Sequence, residues 1–128
     1  MKKLLLLLFI LPATLTALAD QVDRTAELLK TGNFTELGKL FAGSVDVTLM
    51  DDENMLSGTK ALASVESFFK KNPIKTVKVL HRIDSNPKIK FGVILVGCST
   101  GNYRVSVSFK QSGAQFLLDE FRVETEKA

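Results

Sequence analysis

The chain has 128 residues, 45% of them hydrophobic, with 17 lysine and arginine residues against 14 aspartate and glutamate residues. A chain of this length and composition is expected to form one domain with a single hydrophobic core. Its only cysteine, Cys98, excludes an internal disulfide, and its only histidine, His81, excludes a zinc site made of several histidines or cysteines.

Residues 1–19 have the layout of a secretory signal peptide. A short positive head at Lys2 and Lys3 precedes an unbroken apolar run from Leu4 to Leu11, and Ala17-Leu18-Ala19 offers a cleavage site. The apolar run is too short to span a membrane, which takes roughly 18 or more residues. We therefore expect residues 1–19 to be removed.

Residues 20–128 are then expected to form a single exported domain, in the periplasm or secreted. Without the two leader lysines, this part carries 15 basic and 14 acidic residues. Such a balance favours neither nucleic acid nor, after signal cleavage, a membrane as partner. Cys98 is interpreted as a small buried hydrophobe, with a reactive or intermolecular thiol as the alternative.

Two helices are predicted at the start of this domain. Apolar residues recur at helical spacing over residues 21–31, and Gly32 ends that run. Asn33 then caps a second helix, with Glu36 completing a capping box and Gly43 ending the helix. Clean alternation next predicts a half-buried strand over residues 44–50.

A short strand and a third helix follow. Residues 51–54 are predicted to form a polar turn, after which residues 55–57 return as a short strand. Ala61, Val65, Phe68 and Phe69 mark the third helix, which ends at Asn72-Pro73. From Ile74 onward only strands are predicted, over residues 74–84, 89–98, 103–109 and 115–124. The short turns between them predict an antiparallel meander.

This order of elements predicts an α+β roll, with three helices packed on a curved antiparallel sheet. It resembles the nuclear transport factor 2-like fold, also described as a cystatin-like cone. Several segments are similar to a family of small exported bacterial proteins called domain of unknown function 4783: residues 32–41, 67–73, 78–81, 101–105 and 120–124. The resemblance covers nearly all of the exported part. It implies the fold and a periplasmic compartment, and it implies no activity.

Related cone folds, which include ketosteroid isomerase and several dehydratases, hold acids, a tyrosine or a histidine in an apolar pocket. His81 alternates with Val79 and is a candidate for this pocket, the alternative being a half-buried histidine bonded to backbone. Asp119 lies on the predicted inward face with Phe121, where it could act as a general base. Its alternatives are a place at the sheet rim or a bulge that turns it outward.

Tyr103 begins its strand on the apolar face and offers either a hydroxyl at the pocket mouth or an aromatic edge of the core. We predict ligand binding by a set of pocket residues: His81, Tyr103, Asp119, Phe68 and Phe121. No catalytic residue, metal ligand or cofactor is predicted.

Three functions fit these observations. The first is a non-catalytic module that binds an apolar small molecule after export. The second is an isomerase or dehydratase with His81 or Asp119 as base and Tyr103 as electrophile, which rests on fold analogy. The third is a structural or interaction role through a homodimer.

The homodimer hypothesis depends on the strand over residues 89–98, which is apolar on both faces. Ile94, Val96 and Cys98 are assigned to the outer face of the sheet. Because a strand buried on both sides needs a cover on each, a second subunit is expected over that face. The alternative is that the first helix folds round and covers it.

Overall fold

Three helices and six strands form an α+β fold in the part of the chain that the computed structural model describes, residues 20–126. The helices are α1 (Gln21–Thr31), α2 (Phe34–Gly38) and α3 (Gly58–Lys71). The strands are β1 (Phe41–Leu49), β2 (Asp52–Ser57), β3 (Ile74–Asn86), β4 (Ile89–Cys98), β5 (Gly101–Ser112) and β6 (Gln115–Thr125). The expected signal peptide, residues 1–19, lies outside the described residues and stays a prediction.

The six strands form one curved sheet in the order β2-β1-β6-β5-β4-β3. The antiparallel meander predicted for the last four strands is confirmed, with β3, β4, β5 and β6 paired in chain order. β1 then joins the far side of β6 in parallel, and β2 pairs with β1 as an antiparallel edge strand. The parallel pairing brings the first strand of the chain against the last.

The limits predicted for α1 are confirmed, and both ends are capped. The Asp20 side chain accepts a hydrogen bond from the Val22 amide at 3.3 Å. Gly32 ends the helix at φ 72°, and its amide donates back to the last turn, as is typical of a left-handed glycine cap. Val22 and Leu29 are buried on the face that packs against β3 and β4.

The cap predicted for α2 is confirmed, but the predicted end of the helix at Gly43 is wrong. Asn33 accepts a hydrogen bond from the Glu36 amide at 3.1 Å. The helix ends at Gly38, and the next strand begins at Phe41 instead of residue 44. Tertiary pairing overrides the local pattern here, because Phe41 pairs with Leu118 on β6.

All three helices pack on one face of the sheet, which we call the helix face, and the opposite face is the outer face. The core lies between the helices and the helix face. It contains these buried side chains of the helices and strands: Val22, Leu29, Leu37, Val65, Phe69, Val45, Val47, Ile94, Val96, Val105, Val107, Phe109, Leu118, Phe121 and Val123.

β4 is apolar on both faces, as predicted, but the predicted assignment of its faces is wrong. Ile94 is 0% exposed in the core, and it pairs with the core residue Val105. The reason is visible at Gly92, two residues before Ile94, where α1 comes so close that Val22 occupies the space a side chain would need. A glycine at such a position allows close backbone approach.

Arg82 ties β3 to α1. Its Nε donates to the Asp23 carboxylate at 3.1 Å and lies 3.6 Å from the carboxylate of Asp20. The hydrogen bond to Asp23 and the charge of that carboxylate raise the pKa of Arg82 above its usual value. Because the groups are exposed, the pair orients α1 more than it stabilises the fold.

Candidate functional site

The hydroxyl of Tyr103 is held in a hydrogen-bonded cluster at the C-terminal end of α3. It donates to Oδ1 of Asn72 at 3.2 Å and lies 3.0 Å from the Thr100 hydroxyl, which donates to the same oxygen at 2.6 Å. Asn72 in turn donates through Nδ2 to the Phe68 carbonyl at 2.9 Å. The cluster therefore joins the turn between β4 and β5 to α3. Sequence reasoning interpreted Asn72 only as the end of a helix and missed this role.

Phe68 and Tyr103 are two predicted ligand-binding residues that the fold brings into contact. Their rings meet edge to face, with centroids 5.4 Å apart. Phe121 lies elsewhere in the core, 0% exposed, and its ring packs 6.3 Å from that of Phe41. These aromatic side chains fill space between the helices and the sheet.

His81 lies on the outer face, and the prediction that it shares a face with Val79 is wrong. Val79 pairs with the core residue Ile94, whereas His81, two residues further along β3, pairs with Val93. Leu80 is therefore the extra residue of a β-bulge, which interrupts the alternation of side chains. His81 is exposed, and the sheet separates it from the core.

Asp119 is the extra residue of a second β-bulge. Phe109 and Ser108 are adjacent on β5, but their partners on β6 are Leu118 and Glu120. Asp119 lies between these two partners and has none of its own on β5. The predicted inward alternation is wrong at this point, because the bulge places Leu118, which is 0% exposed, in the core. The alternative that the sequence left open was a bulge that turns Asp119 outward, and the structure contains a bulge at this position.

A cleft of about 350 Å³ opens beside Asp119, where β1, β5 and β6 meet. We call it the Asp119 cleft, and its lining residues are Ala42, Gly43, Lys110, Gln111, Ser112, Leu117 and Asp119. Oδ1 of Asp119 is buried, and no group within residues 20–126 forms a hydrogen bond with it. Buried polar atoms normally have a partner, so this oxygen marks a place where a ligand or water is expected. The ligand-binding role of the five predicted residues stays a prediction.

An apolar row runs along the outer face of β4. Phe91, Val93 and Leu95 alternate with the core residues of the same strand, and Phe91 pairs with Ile83 of β3. Ile83 is 47% exposed, while Val93 is 7% exposed at the centre of the row. We call these four residues the β4 stripe. None of the three described helices covers it, since all of them pack on the helix face.

Charged residues of both signs lie beside the β4 stripe on β5 and β6. Arg104 pairs across the sheet with Leu95 on one side and with Glu124 on the other. Arg122 lies 3.8 Å from Glu120 and 3.9 Å from Glu124, which is beyond hydrogen-bond distance. Its Nε is buried and has no hydrogen-bond partner among the described residues. We call these two arginines and two glutamates the charged strip.

Cys98 is half-buried at the end of β4, where it packs against the core. Burial raises the pKa of its thiol, which lowers the fraction present as the nucleophilic thiolate. Among residues 20–126, no three His, Cys, Asp or Glu side chains are grouped closely enough to hold a metal ion. No helix in this part of the chain is long and apolar enough to cross a membrane.

A comparison with protein families finds a match over residues 22–124, to the family described as domain of unknown function (DUF4783). A comparison with curated proteins finds no match.

Solved structures with the same fold include members of that family. One from Bacteroides uniformis has a TM-score of 0.79 and 18% identity, over 85% of this chain and 100% of the other. One from Bacteroides ovatus has a TM-score of 0.76 and 23% identity, over 80% of this chain and 93% of the other. A nuclear transport factor 2-like protein of unknown function from Cytophaga hutchinsonii has a TM-score of 0.60 and 11% identity, over 82% and 86% of the two chains.

Proposed function

This chain belongs to the family described as domain of unknown function (DUF4783), and we propose that it is a non-catalytic module that pairs with a second copy of itself through the outer face of its sheet. The observation that carries the proposal is the β4 stripe. Covering this apolar row would remove it from water, a gain of about 25 cal/mol for each Å² of apolar surface buried. Ile83 is the most exposed member of the stripe, at 47%, and would lose the most surface on covering, whereas Val93 is already only 7% exposed.

A second copy is favoured as the partner because the charged strip is self-complementary. In a two-fold dimer the same patch meets itself, so Arg122 can face a glutamate of the other copy. Arg104 already donates through Nε to Glu126 at 2.9 Å. The strip holds two arginines and two glutamates beside one apolar row. Arg122 has its own glutamates only at 3.8 and 3.9 Å, which leaves its guanidinium available to a partner's carboxylate.

The enzyme hypothesis has less support from the geometry. A base and an electrophile must act on the same substrate atom, within hydrogen-bond distance of it. His81 lies on the outer face and Asp119 in a bulge, while the Tyr103 hydroxyl is engaged with Asn72 and Thr100. We propose that side chains, the aromatic ones included, fill the space between the helices and the sheet. His81, Asp119 and Tyr103 are then not gathered around one substrate pocket.

We also propose that the module acts after export, in the periplasm or outside the cell. The support is the signal-peptide layout of residues 1–19, with a positive head, an apolar run and a small-residue cleavage site. Export would leave Asp20 at the N-terminus, where it caps α1.

Sedimentation velocity over a range of protein concentrations tests self-association. The unaltered protein is expected to sediment as a dimer, and Leu95→Lys is expected to shift it to monomer. An unpaired ammonium buried in an apolar interface is strongly unfavourable, whereas on an exposed sheet surface it is tolerated.

Met55→Lys is the matched control. Met55 is 68% exposed on the outer face of β2, at the far edge of the sheet, so this change adds the same charge away from the β4 stripe and should leave the dimer intact. Circular dichroism checks that both variants fold. An unaltered protein that is monomeric at the highest concentration reached would refute the proposal.

A further inference from the structure

We propose that the Asp119 cleft binds a small zwitterion of the α-amino-acid type, with the ligand's ammonium on Asp119 and its carboxylate on Lys110. This site is separate from the β4 stripe, and the inference does not depend on self-association. It rests on three features of the cleft: an unpaired carboxylate oxygen, an opposite charge across the same opening, and walls of fitting size.

The carboxylate of Asp119 is the first feature. Its Oδ1 is buried without a hydrogen-bond partner among residues 20–126, although an ionised carboxylate can accept several hydrogen bonds. Leaving a buried acceptor unpaired costs more than an ordinary hydrogen bond gains. An ammonium group, with three donors and a positive charge, satisfies both the geometry and the charge of this oxygen.

Lys110 is the second feature. It pairs with Leu117, two residues before Asp119 on β6, so its side chain starts from the same part of the sheet. Lys110 and Asp119 nevertheless do not form an ion pair with each other within 4.0 Å, nor does either pair with another described residue. The flexible stem of lysine can bring its ammonium to a carboxylate bound beside Asp119. A ligand with a positive charge alone would meet repulsion from Lys110.

The walls of the cleft are the third feature. The pairing of β1 with β6 is irregular between Phe41 and Asp46, opposite the bulge at Asp119, and these coincident irregularities open the sheet. Gly43 has no neighbouring atom within 4 Å of the position of a Cβ, which leaves room there. A cleft of about 350 Å³ lies at the small end of ligand sites and favours a ligand of amino-acid size.

Isothermal titration of the full protein with three probes tests this inference. L-alanine carries both charges, ethylamine carries the ammonium alone, and propionate carries the carboxylate alone. L-alanine is expected to bind at least about tenfold more tightly than either single-charge probe, because two charge-assisted hydrogen bonds replace one. Equal affinities for L-alanine and ethylamine, or no binding of L-alanine at millimolar concentration, would overturn the inference.

Two variants test the assigned contacts. Asp119→Asn and Lys110→Gln should each weaken L-alanine binding about tenfold or more, since each removes a charged partner. Glu53→Gln, which changes an exposed carboxylate on β2 that does not line the cleft, is the matched control and should bind as the unaltered protein does. If Asp119→Asn does not fold, Lys110→Gln still decides, because Lys110 is exposed and no described ion pair depends on it. Unchanged binding by Lys110→Gln would exclude the proposed carboxylate contact.

Discussion

The packing of α1 against the sheet at Gly92 can be tested by replacing this glycine with alanine. A Cβ atom added at Gly92 would lie 2.6 Å from Cγ2 and 3.0 Å from Cβ of Val22. Val22 is 1% exposed, and a valine in a helix has one strongly preferred rotamer. The valine therefore cannot rotate away from the new methyl group, and α1 or β4 must shift.

The expected effect is a loss of stability. Inserting a methyl group into a well-packed core costs about 1–3 kcal/mol. Replacing glycine by alanine in a strand raises the free energy of unfolding by roughly 0.5–1 kcal/mol, because the chain then loses less conformational freedom on folding. The net loss in the free energy of unfolding is then roughly 0–2.5 kcal/mol, and each kcal/mol lowers Tm by about 4–8 °C for a domain near this size.

Denaturant titration of four variants measures this effect. Gly43→Ala, also in a strand, is the matched control, since nothing lies within 4 Å of a Cβ at that position. It should keep or raise the free energy of unfolding, by up to about 1 kcal/mol, because the gain at glycine comes there without a clash. Val22→Ala removes the methyl groups that the new side chain would meet. In the double variant the two changes should therefore compensate each other, with a coupling above about 0.5 kcal/mol.

Two results would refute the reasoning. If Gly92→Ala is as stable as Gly43→Ala, α1 does not pack on β4 at this point. If the losses at Gly92 and Val22 simply add in the double variant, the cost of the alanine arises somewhere other than this contact.

Two further predictions concern α3 and the leader. Phe69→Ala should lower the free energy of unfolding by about 3–5 kcal/mol, because Phe69 is 4% exposed and its ring centroid lies 5.1 Å from that of Phe68. Denaturant titration measures the loss, with Met55→Ala at an exposed position as control. A loss of only a few tenths of a kcal/mol would contradict the core position of Phe69. Intact-mass measurement of the exported protein should show cleavage between Ala19 and Asp20, and a product that retains Lys2 would show that residues 1–19 are not a signal peptide.

The limits of α1, the end of α3 and most strand limits were predictable because they depend on neighbours in sequence. The cap at Asn33 needs only the Glu36 amide three residues away, and α1 ends at Gly32 because glycine readily adopts a positive φ. β4 occupies the predicted residues, Ile89–Cys98. The family resemblance was carried by such local segments, and the family match confirms it.

The candidate site was less predictable because it depends on which face each side chain takes. One extra residue in a strand reverses every later assignment. The bulge at Leu80 moves His81 to the outer face, and the bulge at Asp119 places Leu118 in the core. A signal was present at Gly92, whose lack of a side chain marks the face of β4 that α1 approaches.

By itself, the sequence determined where the helices and strands lie, the α+β class and the family, because periodicity, caps and turns are local properties. Only the tertiary structure decided the parallel pairing of β1 with β6, the two bulges and the face of β4 that the helices leave uncovered. Those features arise where strands distant in the chain align their hydrogen bonds and where a helix packs closely on the sheet. No short segment of sequence contains both partners of such a contact.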